Sequence, residues 1–317
     1  MNWLQKIVLG VLMTSQLNAV KLEDFDDLFV GNPAEIEKNL NALLPQAQAL
    51  ENESIYLQIL SQIALAEAVQ KKFVQAHETL DMAEADLVPA YELARVRILL
   101  ERGRVFFQQD NTDEALSFFK QSYELSKENN FDRHTINAAH MIPLAVKNID
   151  EKIHWNQVAI DLAKETTDSK GQAWLGVLYN NIAQNYIEAG LYNESHAAFE
   201  VCKKLSEEKG EVIVARGARW GIARSLRGLG KLDEALEIQQ GLLEEYKIVA
   251  EKNELPEEIV AVGRGMVYEE LTELFAEKNE PVDMKKFAAL AYQDLSKNEW
   301  FVKLEPHRLE KMKQLSS

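Results

Sequence analysis

Small and bulky positions recur along this chain at a fixed offset of four residues, the spacing that places two side chains on one face of an α-helix. The pairs are Ala76/Leu80 in FVQAHETL, Ala115/Phe119 in TDEALSFF, Ser195/Phe199 in YNESHAAF and Ala235/Gln239 in LDEALEIQ. Their small members are separated by 39, 80 and 40 residues. The middle interval equals two periods, so a degenerate unit is expected near residue 155, where IDEKIHWNQVAIDLAKE reads as a helix.

A second small residue precedes each of these sites by 12 positions, in Ile63-Ala64, Arg102-Gly103, Ile182-Ala183 and Ile222-Ala223. Three residues further on, Phe106, Tyr186 and Leu226 fill the same face, whereas Glu67 breaks the pattern in the first unit. Small residues let two antiparallel helices approach closely, and the large ones fill the groove between neighbouring pairs. Gly190 and Gly230 fall at the turn, where a left-handed residue ends the first helix.

These residues resemble the tetratricopeptide repeat in a long form of about 40 residues, similar to that of kinesin light chains and mitotic-spindle adapters. The best matches are LYNNIAQNYIEAGLYNESHAAFEVC (178–202) and IARSLRGLGKLDEAL (222–236). The resemblance covers residues 54–297. It implies an all-α fold, a right-handed α-α superhelix of about six helix pairs with terminal capping helices. Pro143 interrupts the first helix of the degenerate unit and should kink or restart it, and Glu251–Glu258 reads as a longer linker before the last unit.

Both ends read as caps. In the segment 20–53, Asn32 before Pro33 is an N-cap with proline at the first helical position, opening a helix through Leu44. In the segment 298–317, Glu305-Pro306 starts a terminal helix to about Leu315, with Trp300 and Phe301 packed beneath it. Ahead of the first cap, Lys6, an apolar run from Ile7 to Met13 and the order Leu17-Asn18-Ala19 follow the layout of a secretory signal peptide over residues 1–19. The alternative is a first amphipathic helix on the solenoid and a cytoplasmic protein. The run is too short to span a bilayer, so stable membrane insertion is not expected.

Composition narrows the function. The chain has 317 residues with a formal charge of −16, which argues against nucleic acid as a partner because no cationic field is available to release phosphate counterions. With 46% apolar residues and only 14 glycines and 7 prolines, it should fold into long helices. Six histidines stand with no pair at helical metal-binding spacing, and the single Cys202 rules out CxxC. Neither a phosphate-cradling loop nor a nucleophile elbow is present, so no catalytic residue, metal or cofactor is expected. Cys202 reads as a small core residue rather than a reactive thiol.

One stretch inverts the sign of the chain. Between Glu211 and Asp233 there is no acidic residue, yet Arg216, Arg219, Arg224, Arg227 and Lys231 occur. The family resemblance places Gly217, Trp220, Arg224 and Arg227 on the concave face, with Asn180 and Gln184 of the neighbouring unit, Asn181 beside them, and Arg97 and Arg104 of an earlier one. Amides can pair with an extended peptide backbone, guanidinium groups can hold carboxylates bidentately, and an indole can stack on an apolar or cationic side chain. These residue types resemble the carboxylate clamp of chaperone-binding repeats, although the clamp's particular lysine and asparagine set is not reproduced. The candidate site is therefore Arg97, Arg104, Asn180, Asn181, Gln184, Trp220, Arg224 and Arg227, suited to an extended acidic segment or a C-terminal carboxylate. The competing reading is that the arginines pair with glutamates of adjacent repeats such as Glu207, Glu208 and Glu211 and hold the stack together.

Three classes of function follow. The first is a non-enzymatic scaffold whose partner is another protein or peptide. The second is a peptide-sensing regulator whose solenoid curvature changes about the proline-containing unit at 134–166. The third is an enzyme assembled from scattered carboxylates.

Overall fold

The computed structural model describes Phe25 and residues 31–316; the signal-peptide reading of residues 1–19 lies outside them. A helix from Pro33–Ala49 (α1) leads into six antiparallel helix pairs. They are Glu53–Val69 with Phe73–Ala85 (α2/α3), Glu92–Gln108 with Thr112–Glu128 (α4/α5) and Asp132–Ala145 with Ile149–Glu165 (α6/α7). After the short Ser169–Gln172 (α8) come Leu175–Glu188 with Tyr192–Glu208 (α9/α10), Val212–Gly228 with Leu232–Lys252 (α11/α12) and Glu257–Glu277 with Pro281–Leu295 (α13/α14). Glu299–Leu304 (α15) and Pro306–Leu315 (α16) close the chain. Among the described residues there is no strand. The fold is all-α, a stack of tetratricopeptide-like helix pairs. It divides into two compact units, one ending at Leu178 and the other running from Tyr179 to Ser317.

The pairs form where the small residues predict. Ala76, Ala115, Ser195 and Ala235 are fully buried, and so are Leu80, Phe119, Phe199 and Gln239 one turn later. A Cβ added to Gly103 would lie 2.6 Å from the Phe119 ring, and one added to Gly221 2.3 Å from the Phe199 ring. Those glycines are thus the space into which the phenylalanines fit, and a side chain there would overpack the contact. Where serine replaces alanine at the packing position, the hydroxyl is satisfied locally: Ser195 Oγ donates 2.9 Å to the Ala183 carbonyl and lies 2.9 Å from Ser225 Oγ. Glu67, the exception in its repeat, is tolerated because Thr79 Oγ1 donates to its carboxylate at 2.9 Å. Burial nevertheless raises that carboxyl above its ordinary range.

The turns share one chemistry. In the first pair the Lys72 amide donates to the Glu67 carbonyl at 3.0 Å and the Lys71 amide to Ala68 at 2.9 Å, the double closure of a Schellman cap. The same closure occurs at Phe106/Asn111, Tyr186/Leu191, Leu226/Lys231 and Phe275/Glu280. Each cap needs a residue with positive φ: Gly190 and Gly230 supply it at +73° and +76°, while Lys71, Asp110 and Asn279 adopt it at 64°, 61° and 58°. Only the glycine versions announce themselves in the sequence.

Pro143 decides the third pair. It lies inside α6, which stops two residues later at Ala145, and the chain leaves through extended Val146 (ψ 150°) rather than a left-handed residue. The next helix restarts on Asn148, whose side chain accepts from the Glu151 amide at 3.0 Å, and spans the expected Ile149–Glu165. Two sequence readings need correction. Pro45 sits inside α1, which continues past Leu44 to Ala49. Half of the stretch read as a longer linker is helix, because α12 runs to Lys252 and α13 begins at Glu257, and the short connection between them turns on Asn253 at φ 52°. At the C-terminus Phe301 is fully buried, with the Arg308 guanidinium 4.9 Å from its ring centre.

Candidate functional site

The eight residues of the sequence-derived site divide between the units: Arg97 and Arg104 belong to the first, and the other six to the second. Each group lies on the first helices of its pairs.

In the second unit, α9 contributes Asn180, Asn181 and Gln184, α11 contributes Trp220, Arg224 and Arg227, and α13 supplies carboxylates that the sequence reading did not include. Spacings of three and four residues align Trp220, Arg224 and Arg227 on one stripe of α11. Arg227 is fully engaged: its Nε donates to Glu270 Oε1 at 2.6 Å, its Nη1 to Glu277 at 2.7 Å and its Nη2 to Glu270 Oε2 at 3.3 Å. Burial works against its charge, but the two carboxylates outweigh burial and hold Arg227 above the ordinary guanidinium value. Glu270 is 3% exposed at its side chain, and burial raises its carboxyl against the opposing pull of Arg227 and Arg224.

Arg224 is held differently. Its Nη1 donates to Gln184 Oε1 at 3.1 Å, its guanidinium carbon lies 4.6 Å from the centre of the Trp220 ring, and Glu270 stands off at 3.7 Å. Burial lowers its pKa, with Glu270 opposing. Trp220 itself is 6% exposed and its Nε1–H donates 3.0 Å to the Met266 carbonyl, so the indole orients Arg224 from beneath. Asn180 and Asn181 are buried next to each other, and Asn180 Oδ1 has no hydrogen-bond partner among the described residues.

The other cations of the inverted stretch serve the stack. Arg216 Nε donates to Glu245 at 3.1 Å, and Arg219 Nη1 donates to the second oxygen of the same carboxylate. Burial raises the Glu245 carboxyl, but the two guanidinium groups prevail and hold it below the ordinary glutamate value. These three side chains line a cavity of about 260 Å³ with Ser206, Gly210 and Val212. Lys231 makes an exposed pair with Glu234 at 3.4 Å. Pairing between helices therefore takes up Arg216, Arg219 and Arg227 at hydrogen-bond distance and Arg224 at 3.7 Å, with Glu245, Glu270 and Glu277 as partners in place of Glu207, Glu208 and Glu211.

The first unit carries a parallel ladder. Gln62 on α2 donates to Glu101 Oε1 at 3.1 Å, Arg104 Nη1 donates to the same oxygen at 2.8 Å, and Arg104 Nη2 donates to Asn137 Oδ1 on α6 at 2.8 Å. Arg97, one turn before Glu101, is 5% exposed, with its guanidinium carbon 4.8 Å from the centre of the Phe25 ring. Beyond Asn137, His140 is 4% exposed and tilted against Trp174 at 5.0 Å. Burial, aided by Arg104, pushes its pKa down to about 3.

Sequence reasoning missed Gln62, Glu101, Glu270 and Phe25. Glu270 had a weak signal: it lies 43 positions after Arg227, about one helical turn beyond the 40-residue repeat equivalent of that arginine, whereas Glu245 lies only 29 and 26 positions after Arg216 and Arg219 and follows no repeat offset. Phe25 had none, because no repeat places it. Cys202 is fully buried and burial pushes its thiol up to about 12. Among the described residues no group of three His, Cys, Asp or Glu side chains could hold a metal ion, and no helix is long and apolar enough to cross a membrane.

Comparison with known proteins agrees with the helical-repeat fold. Residues 96–129, which include most of α4 and all of α5, match the tetratricopeptide repeat family model. Among curated proteins none matches. Among solved structures, the apo form of RapI superposes with a TM-score of 0.65 at 12% identity, covering 87% of this chain and 76% of that one. The nearly identical TPR-like repeats of a Podosopora anserina protein described as a kinesin light chain give 0.51 at 16%, covering 65% and 97%. A Rap protein complexed with competence and sporulation factor gives 0.52 at 16%, covering 98% and 91%. At these identities the likeness is one of fold.

Proposed function

We infer that this tetratricopeptide-repeat protein is a non-enzymatic scaffold that binds an extended segment of another protein along the face lined by the first helices of its second unit, with no nucleic acid among its partners. The observation that carries the reading is the setting of Arg224. Its guanidinium is oriented by a neutral amide, Gln184, and by the Trp220 ring, while the nearest carboxylate stands 3.7 Å away. An arginine with a complete carboxylate clamp, as Arg227 has, gains little from an incoming acid. One positioned by uncharged groups keeps donors for it. Asn180 and Asn181 lie on the same face and bring the amide functions that an extended backbone requires. The acidic or C-terminal carboxylate character of the ligand follows from Arg224; Arg104, whose Nη1 donates to both Glu101 oxygens at 2.8 and 3.1 Å, is engaged as Arg227 is. The structure solved with competence and sporulation factor supports the reading by showing a fold of this kind in complex with a ligand.

Fluorescence anisotropy with acidic peptides, each prepared with a free and an amidated C-terminus, tests this. Arg224→Ala and Gln184→Ala should each weaken binding, Arg224→Ala by tenfold or more, while circular dichroism remains that of the folded chain. Added salt should mimic part of the loss through screening. Unchanged affinity in Arg224→Ala would overturn the reading.

A further inference from the structure

The cavity of about 260 Å³ at the N-terminal end of α11 shares no residue with the Arg224 site. Its buried floor is Ser206 of α10 and Ala215 of α11, and its rim is the exposed Glu207, Gly210 and Val212, so it opens to solvent. The wall carries Arg216, Arg219 and Glu245. Each guanidinium gives one nitrogen to Glu245, Arg216 its Nε at 3.1 Å and Arg219 its Nη1. Two positive charges thus meet one negative charge, and each arginine keeps further N–H donors. Helix stacking does not require this trio: one repeat earlier, 40 residues back, the corresponding residues are Gly176, Tyr179 and Leu205. The floor holds a second distinctive polar group. Ser126, two repeats before Ser206, donates its hydroxyl to the Tyr123 carbonyl at 3.0 Å. Ser206 Oγ lies against the Cys202 thiol and makes no hydrogen bond to nitrogen or oxygen among the described residues. Buried hydroxyls are nearly always hydrogen-bonded, so the floor has a donor in reserve.

We propose that this cavity binds a small monocarboxylate, its carboxylate on the remaining donors of Arg216 and Arg219 and its apolar part against Val212 and Ala215. Guanidinium groups suit a carboxylate because they present N–H groups in a planar fork that matches its two oxygens. Charge selects a monoanion: one negative charge completes neutrality with Arg216, Arg219 and Glu245, while a dianionic phosphate puts an excess beside Glu245 and the rim carboxylate of Glu207. Size limits the rest. A cavity of about 260 Å³ falls below the roughly 300–1,000 Å³ of pockets for drug-sized ligands, so the carboxylate belongs on a body of a few carbons or a single ring. An occupant bridges the second helix of one pair and both helices of the next, and therefore stabilises the folded chain.

The test titrates the full chain with acetate, butyrate and benzoate by isothermal titration calorimetry at constant ionic strength, with benzamide as the neutral analogue of benzoate and inorganic phosphate above neutral pH as the dianion. At least one carboxylate should bind saturably, and benzamide and phosphate should not. Arg219→Gln should weaken that binding at least tenfold. Val212→Asp, which adds a negative charge at an exposed rim position and leaves the floor untouched, should do the same. The titrations are repeated on the Arg224→Ala chain, because a carboxylate could also reach the peptide site: binding that persists there and falls in Arg219→Gln supports the cavity. Binding that disappears in Arg224→Ala and persists in Arg219→Gln overturns the inference while leaving the peptide-binding reading in place. The inference is equally overturned by no saturable carboxylate binding at tens of millimolar, by benzamide or phosphate binding as tightly as the best carboxylate, or by affinity unchanged in Val212→Asp. If circular dichroism shows that Arg219→Gln does not fold, Val212→Asp decides alone.

Discussion

The indole Nε1–H of Trp220 donates to the backbone carbonyl of Met266, 46 residues away, at 3.0 Å. This bond ties the first helix of one pair to the first helix of the next. It also fixes the ring on which the Arg224 guanidinium lies. Removing the donor while keeping an aromatic ring should therefore separate packing from orientation.

Trp220→Phe is expected to lower stability by about 1–2 kcal/mol, the loss of one buried hydrogen bond with some packing. Trp220→Ala should cost about 3–5 kcal/mol through the cavity it leaves. Chemical denaturation of the two variants checks the order. If Trp220→Phe costs as much as Trp220→Ala, the hydrogen bond rather than the ring volume dominates.

Ala235 is fully buried where the two helices of the fifth pair touch, and Glu237 is exposed on the same helix. Ala235→Trp should destabilise by about 1–3 kcal/mol or more through overpacking. Glu237→Trp should stay within about 0.5 kcal/mol. Similar thermal shifts in the two variants would mean that the repeat register is misassigned.

Glu270 is the buried carboxylate that Arg227 clamps and Arg224 approaches. Replacing it with alanine leaves Arg227 with only the half-exposed Glu277, and removing one member of a buried pair costs about 3–5 kcal/mol. Breaking the exposed Lys231–Glu234 pair by Lys231→Ala should cost at most about 1 kcal/mol. Thermal melts of the two variants should differ accordingly.

His140 gives the fold an acid limit. Its pKa falls from 6.5 to about 3 because burial disfavours the charged ring. Between those values the unfolded chain binds a proton that the folded chain does not, so stability is complete above pH 6.5 and is lost as the pH falls toward 3. The difference in unfolding free energy between wild type and His140→Gln should change by about 1.4 kcal/mol per pH unit across that window. Parallel pH profiles for the two proteins would show that His140 is protonated in the folded state.

The repeat was legible because helix packing imposes a local rule. A small residue and its bulky partner one turn later must recur wherever two helices touch, and Ala76, Ala115, Ser195 and Ala235 obey that rule in the linear sequence. The same logic placed α7 from Ile149 to Glu165 and located the break at Pro143, whose missing amide acts within its own turn. The C-terminal cap, Pro306–Leu315, was readable for a similar reason, since proline at a first helical position is a local signal.

What each arginine does was decided only in three dimensions. Arg224 and Arg227 are chemically identical and three residues apart, yet one meets an amide and an indole and the other two carboxylates. Composition could show that the sign of the charge inverts between Glu211 and Asp233. It could not show that Glu245 absorbs two of those charges and Glu270 a third, because the carboxylates come from other helices whose relative placement is set by packing. The same holds for Phe25, whose seat on Arg97 depends on a contact 72 residues long in sequence. Local side-chain periodicity fixed the helices and their pairing in this chain, and the long-range meeting of charges, amides and rings, which periodicity does not encode, fixed the site.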